Sequence, residues 1–197
     1  MLLSGTQLIG TSVMSLQTGK ELAVTSVAVL NPHNLSILAY RIAGQHLDHD
    51  PSYLRTADIR ELGGLGMIVD SSDEFLEPDD IISDKKVYDM EFELVGKQVV
   101  DDRHAKVGKV TDYVVDVESF VVMQLIVKRP LLKSFSDDEL IIHRSQIVEI
   151  TDEQIVIKSG KVKKIAASRE SRHYVNPFRQ STPQPEAIRI NSNETNH

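Results

Sequence analysis

Residues 106–128 read KVGKVTDYVVDVESFVVMQLIVK. Two β-branched runs, Val110 to Asp116 and Val121 to Val127, flank the short turn Val117 to Ser119. Runs of this length and composition, bounded by turn residues, predict two strands of an antiparallel hairpin. In the second run the alternate residues Val121, Met123, Leu125 and Val127 are all apolar, and the other face adds Val122 and Ile126. A strand with one wet face alternates apolar with polar. Both faces are therefore expected to be covered. One face would fill a small barrel, and the other would meet a sister unit, the chain's tail or another chain.

The same pattern occurs earlier. From Gly10 the chain reads GTSVMSLQTGKELAVTSVAVLNPHNLSILAYRI, and from Gly96 it reads GKQVVDDRHAKVGKVTDYVVDVESFVVMQLIVK. Each opens on Gly, then a short apolar strand, a polar turn, a β-branched strand, a turn (NPHN or VES) and a second strand, at an offset near 86 residues. Each half continues with a short step (TADI at Thr56 to Ile59, RSQI at Arg144 to Ile147) and a closing strand, Met67 to Val69 or Gln154 to Ile157. A repeat of this size points to one supersecondary unit used twice. No amphipathic helical pattern of three turns stands in the body, and many short strands with turn signals predict small barrels. The fold class read here is all-β: two tandem small β-barrels with short helical turns and a disordered C-terminal tail. The expected domains are 1–83, including an acidic connector, 84–165, and a flexible basic and polar tail, 166–197. A domain of ~80 residues buries only about 60–65% of its unfolded surface, so pairing two would add burial that each lacks alone.

The joint from Asp70 to Glu93 holds ten acidic residues and two lysines, yet carries Phe75, Leu76, Ile81, Ile82, Val87 and Phe92, and is expected to pack along the barrels. From Ala166 the strand pattern stops and Ser, Asn, Gln, Pro and Arg take over, the composition of a disordered terminus. The net charge of −7 divides unevenly: Lys158 to His197 sums to +5, which leaves −12 on the rest. An acidic folded part argues against broad contact with phosphates. There is no cysteine, so disulfides and thiolate metal sites are excluded. No stretch reaches the ~20 apolar residues of a membrane-spanning helix, and MLLSGTQLIG lacks the basic start and apolar core of a signal peptide. The expected location is cytoplasmic, without membrane insertion.

The second hairpin with its sequel, KVGKVTDYVVDVESFVVMQLIVK…ELIIHRSQIVEITDEQIVIKSG, resembles the PRC-barrel family. The residues that carry the likeness are Gly108 to Val110, Tyr113 to Asp116, Val117 to Ser119, Val121 to Val127 and Ser145 to Ile157. The first half resembles a more diverged copy, with a longer polar loop, AGQHLDHDPSYL. The whole pattern resembles free-standing bacterial proteins with two PRC barrels in tandem. PRC barrels also occur in the photosynthetic reaction-centre H subunit and in a maturation factor of the small ribosomal subunit. The resemblance implies a module that binds proteins or assemblies and does not catalyse.

The chemistry-bearing residues fit that expectation. His46, Asp48, His49 and Asp50 bring imidazoles and carboxylates close together, but no third well-spaced histidine cluster accompanies them, so they read as a polar loop and no metal site is assigned. Asp79-Asp80, Asp101-Asp102 and Asp137-Asp138 read as turn formers. His143, at the end of LIIH, reads as a structural residue at the turn into Ile147. Gly63-Gly64-Leu65-Gly66 lacks the Lys-Ser/Thr of a phosphate loop. No nucleophile, base and orienter can be assembled, so neither catalysis nor a cofactor is expected. Arg129 to Phe135 reads RPLLKSF, bulky apolar residues between charges, and gives a candidate contact patch of Val122, Ile126, Leu131, Leu132 and Phe135. The basic run from Lys158 to Arg179, with Tyr174 and Phe178, gives candidate nucleic-acid contacts at Lys161, Lys163, Lys164, Arg169 and Arg172. The function read from sequence is a protein-binding or assembly scaffold, with an RNA- or ribosome-associated factor as the alternative. The partners expected are another protein or a ribonucleoprotein assembly, RNA through the tail, or a second copy in a homodimer.

Overall fold

Valine, isoleucine and threonine crowd the body of the chain, and their stiff branched side chains suit a pleated, half-buried surface. The structure, a computed structural model, describes residues 1–45, 47–81, 85–129 and 139–158 in full and 163–165 as backbone. Among these residues the first half contributes β1 (Leu2–Ser4), β2 (Ser12–Ser15), β3 (Glu21–Asn31), β4 (Ser36–Ala43), β5 (Ser52–Arg55), β6 (Glu61–Gly63), β7 (Gly66–Val69) and β8 (Phe75–Leu76). One short helix, α1 (Lys85–Asp89), follows. The second half contributes β9 (Gln98–Asp101), β10 (Lys106–Asp116), β11 (Val121–Lys128), β12 (Glu139–His143), β13 (Ile147–Ile150), β14 (Gln154–Ile157) and β15 (Lys163–Ile165). The chain is mainly β, and every strand belongs to one connected sheet.

The pairing runs through the same sequence twice. β2 lies antiparallel to β3 and parallel to β7, as β9 does to β10 and β14. From β3 the ladder passes to β4, β5 and β8, and from β10 to β11, β12 and β15. Gly10 and Gly96 open the two units at φ of 76° and 89°, a conformation that costs glycine little. Their N–H groups donate to Thr25 and Val110 carbonyls, each at 2.8 Å. The ladders wrap each half without closing it. Among the described residues none joins β5 to β6 or β12 to β13, because single turns of 3-10 helix, Thr56–Asp58 and Arg144–Gln146, lift the chain off the sheet there.

Bulges decide which residues face inward. The register shifts between Val110 and Asp112 and between Val114 and Val115, and in β3 between Thr25 and Val27 and between Val29 and Leu30. Each shift lets the inward face change parity along a strand. In β11 the buried residues are Val122, then Leu125 and Val127. In β4 they are Ile37 and Ala39, then Tyr40 and Ile42. The simple alternation expected for Val121 to Val127 therefore does not hold. Val122 points into the core, whereas Val121, Met123 and Ile126 are half-buried.

The halves meet through a reciprocal contact. Ile37 N–H donates to the Phe120 carbonyl at 2.7 Å, and Val122 N–H donates to the Leu35 carbonyl at 2.9 Å. Leu35 and Phe120 hold matching places before β4 and β11, and both are left-handed, at φ of 56° and 50°. Residues that correspond between the halves thus exchange bonds, the signature of an isologous interface. Arg144 adds a bond to the Asn34 carbonyl. Tyr40 meets the Phe120 ring edge-on, with centroids 6.4 Å apart. A second tie is β1, which crosses to pair with β10 through Leu3 and Val115. Asp112 accepts there from the Ser4 hydroxyl and from the Thr6 N–H and hydroxyl.

Two substitutions test this packing. The Tyr40 hydroxyl is buried, and among the described residues it has no hydrogen-bond partner. Tyr40→Phe is expected to hold or raise stability, by about 1 kcal/mol, in urea unfolding, since it removes a desolvated polar atom. A loss of that size would show the hydroxyl to be bonded. Gly5 lies flat against the Tyr113 ring, and a Cβ there would sit 2.1 Å from ring carbon Cε2. Gly5→Ala is expected to cost about 1–3 kcal/mol and to speed amide exchange in β1.

Candidate interaction surface

The bulge in β3 between Thr25 and Val27 leaves Val27 48% exposed on a strand whose neighbours are otherwise covered. Ahead of Gly10 and Gly96, Leu8 and Leu94 plug the core. That turns the next residues, Ile9 and Val95, outward at 37% and 41% exposure. Ile9 and Val95 occupy corresponding positions, as do Ala28 of β3 and Tyr113 of β10. All four line one cleft of about 340 Å³ between the halves. Phe92 forms a wall of the cleft and is held by Lys97, whose Nζ lies 4.5 Å from the ring centre. Burial pushes the Tyr113 hydroxyl up to about 12.

A second groove, of about 240 Å³, continues from the cleft over the outer face of β3. Tyr53 and Tyr88 stand edge to face in it, with centroids 5.1 Å apart at 87°. Partial burial raises the Tyr53 hydroxyl, and the Arg41 guanidinium opposes that rise. Arg41 itself is held by Asp50 at 2.6 Å. Glu91 and Glu93 line this groove from exposed positions, and Asp89 lies within electrostatic reach of Tyr53. The surface joins apolar side chains with an acidic border, and the arrangement suits binding of a chain segment.

Of the residues singled out from sequence, those that the structure describes fall elsewhere. Val122 is 0% exposed and belongs to the core, so it cannot serve as a contact residue, and Ile126 is half-buried. Leu131, Leu132 and Phe135 lie outside the described residues. Lys163 and Lys164 are in β15, in register with Ile141 and Leu140 of β12. Lys161, Arg169 and Arg172 lie outside the described residues, as do His46, Asp137 and Asp138. His49 Nε2 pairs with Glu77 Oε1 at 2.7 Å, which ties the polar loop to the connector. Among the described residues no group of three or more histidines and carboxylates is placed to hold a metal ion. Asp101 caps its turn by accepting from the Arg103 and Ala105 N–H groups at 3.0 and 2.8 Å. His143 Nδ1 accepts from the Ser145 N–H at 3.2 Å and caps the 3-10 turn before β13. Gly63 to Gly66 is the turn of the β6–β7 hairpin. No helix among the described residues is long and apolar enough to cross a membrane.

Sequence reasoning missed the cleft. Ile9, Val27 and Val95 are single apolar residues in ordinary strand or turn contexts. Only the bulge in β3 and the crossing of the chain between halves bring them together. The matched offset of Ile9 and Val95 was the signal that pointed to them.

The second half carries the pairing order just described, with β9 between an antiparallel and a parallel neighbour. Residues 90–164 match the PRC-barrel domain family. The PRC-barrel match starts after α1 and takes in β9 to β14 and the first residues of β15. No curated protein matches the chain. Phe92, Leu94, Val95 and Tyr113 of the cleft lie inside the PRC-barrel segment, and Ile9, Val27 and Ala28 lie in the first half.

Because Val27 and Val95 project from the surface, Val27→Asp and Val95→Asp are expected to shift stability by less than about 0.5 kcal/mol each in urea unfolding. Larger losses would place these side chains inside the packing.

Proposed function

We propose that this protein is a non-catalytic docking scaffold built from two PRC-barrel units, and that its partner protein binds the cleft between them. The first half is read as a second, diverged copy, on the strength of its repeated pairing order and its matched glycines. The observation that carries the function is the cleft at the junction, where exposed Ile9, Val27 and Val95 border a cavity of about 340 Å³. Contiguous exposed apolar surface of this kind marks contact sites in proteins that otherwise cover it. The PRC-barrel likeness supports the same reading, since such domains occur in interaction and assembly settings. We place the protein in the cytoplasm.

The test is a photo-crosslinking residue at Val27, with Leu65, exposed at 74% on the β6–β7 hairpin, as control. A discrete adduct from position 27, absent from position 65 and lost on adding Val95→Asp, is the expected result in the native cell. Equal labelling from both positions would overturn the docking site. The RNA-associated alternative predicts copurifying RNA that is released steeply by salt and disappears when residues 166–197 are removed.

A further inference from the structure

We propose that the outer edge of β3 at Ala28 and Leu30 accepts a strand, and that its occupant is an extended, lysine- or arginine-bearing segment of a partner protein. This inference rests on the docking reading and names how the partner binds.

The protein itself shows the arrangement on its other half. The outer edge of β10 is filled by β1: Leu3 pairs with Val115, and Gly5 N–H donates to the Tyr113 carbonyl at 2.7 Å. Ala28 and Leu30 hold the places of Tyr113 and Val115, since they pair with Tyr40 and Ile37 of β4 as those residues pair with Leu125 and Val122 of β11. In an antiparallel ladder such alternate residues turn their backbone groups to the far side. Past Thr25, among the described residues, no strand pairs with that side of β3. Leu30 is only 3% exposed and Ala28 is half-buried, so the edge is reached only where the covering chain gives way; it is then a place for β-strand addition, in which the main chain supplies affinity and alternate side chains supply selectivity.

Where β10 runs on to Val117, whose N–H donates to the Met1 carbonyl, β3 runs on to Pro32, which has no N–H. The proline stops the ladder, so the acceptor is as short as β1. The stretch whose position corresponds to β1 is the end of α1, beside β3. A five-residue helix is far below the length at which helices persist alone, so α1 is held by its packing, and an incoming strand displaces it by replacing the Tyr53–Tyr88 contact.

Charge selects the occupant. Glu91 and Glu93 border the groove over this edge and Asp89 stands close by, while the cation there, Arg41, is occupied by Asp50. A segment that alternates apolar with basic residues meets Val27 and its apolar neighbours together with the Glu91 and Glu93 carboxylates, which line the same groove.

The probe is a short acetylated peptide alternating valine and lysine, titrated into the full chain and followed by NMR. Slowed exchange of the Leu30 amide, a shifted Ala28 carbonyl resonance and affinity about tenfold weaker for the matching valine–glutamate peptide are the expected results. Peptide binding without Leu30 protection would overturn strand addition and leave cleft docking intact. Equal affinity for both peptides would overturn the basic occupant, and binding of neither would overturn the inference. Leu30 protection without peptide, rising with protein concentration in step with a dimer by sedimentation, would assign the edge to a second copy instead. Failure of the Val27 crosslink, by contrast, removes the docking reading itself.

Discussion

Alongside the β1–β10 ladder, two backbone hydrogen bonds, Ile37 to Phe120 and Val122 to Leu35, hold the structure's two halves in one sheet. They are reciprocal, and they require Leu35 and Phe120 to be left-handed, which costs a non-glycine residue of the order of 1 kcal/mol. The cost is offset by burial, since both side chains close the core beside Tyr40 and Ile37. Once that seam is made, the buried residues of both halves form one contiguous cluster. Neither half needs to close its own ladder, because part of each core is covered by the other.

The same symmetry, and its one clear breach, produces the candidate site. Corresponding residues Ile9 and Val95 come to one cleft because the seam brings both entry turns to the same side. On β10 the open edge is covered by β1, and Asp112 stitches it down. On β3 the matching stretch of chain is α1, a helix, and among the described residues no strand pairs with the edge past Thr25. Two halves that share a pairing order but differ at one edge present a surface that neither has alone.

Much of this was legible in the residues. The strands, the hairpin turns at NPHN and VES, the glycines at 10 and 96 and the near-constant offset follow from composition and short-range spacing. The turn roles of Asp101 and His143 were also readable, because each bonds to backbone within a few residues. Val122 is buried, not a contact residue, because β11 itself carries an extra residue at Met123, opposite Val114 and Val115, and that bulge, which has no local signal, changes which face of β11 turns inward. Ile9, Val27 and Val95 were passed over because single apolar residues at the surface are common.

The sequence by itself determined that the chain is mainly β and that no cysteine chemistry operates. These follow from backbone preference and nearest-neighbour spacing. The tertiary structure decided which faces are buried, how the halves join and where an accessible apolar cleft opens. These depend on bulges and on contacts between residues some 85 positions apart, such as Ile37 with Phe120 and Leu35 with Val122. Whether two such residues meet is set by the path of all the chain between them, which no local pattern encodes.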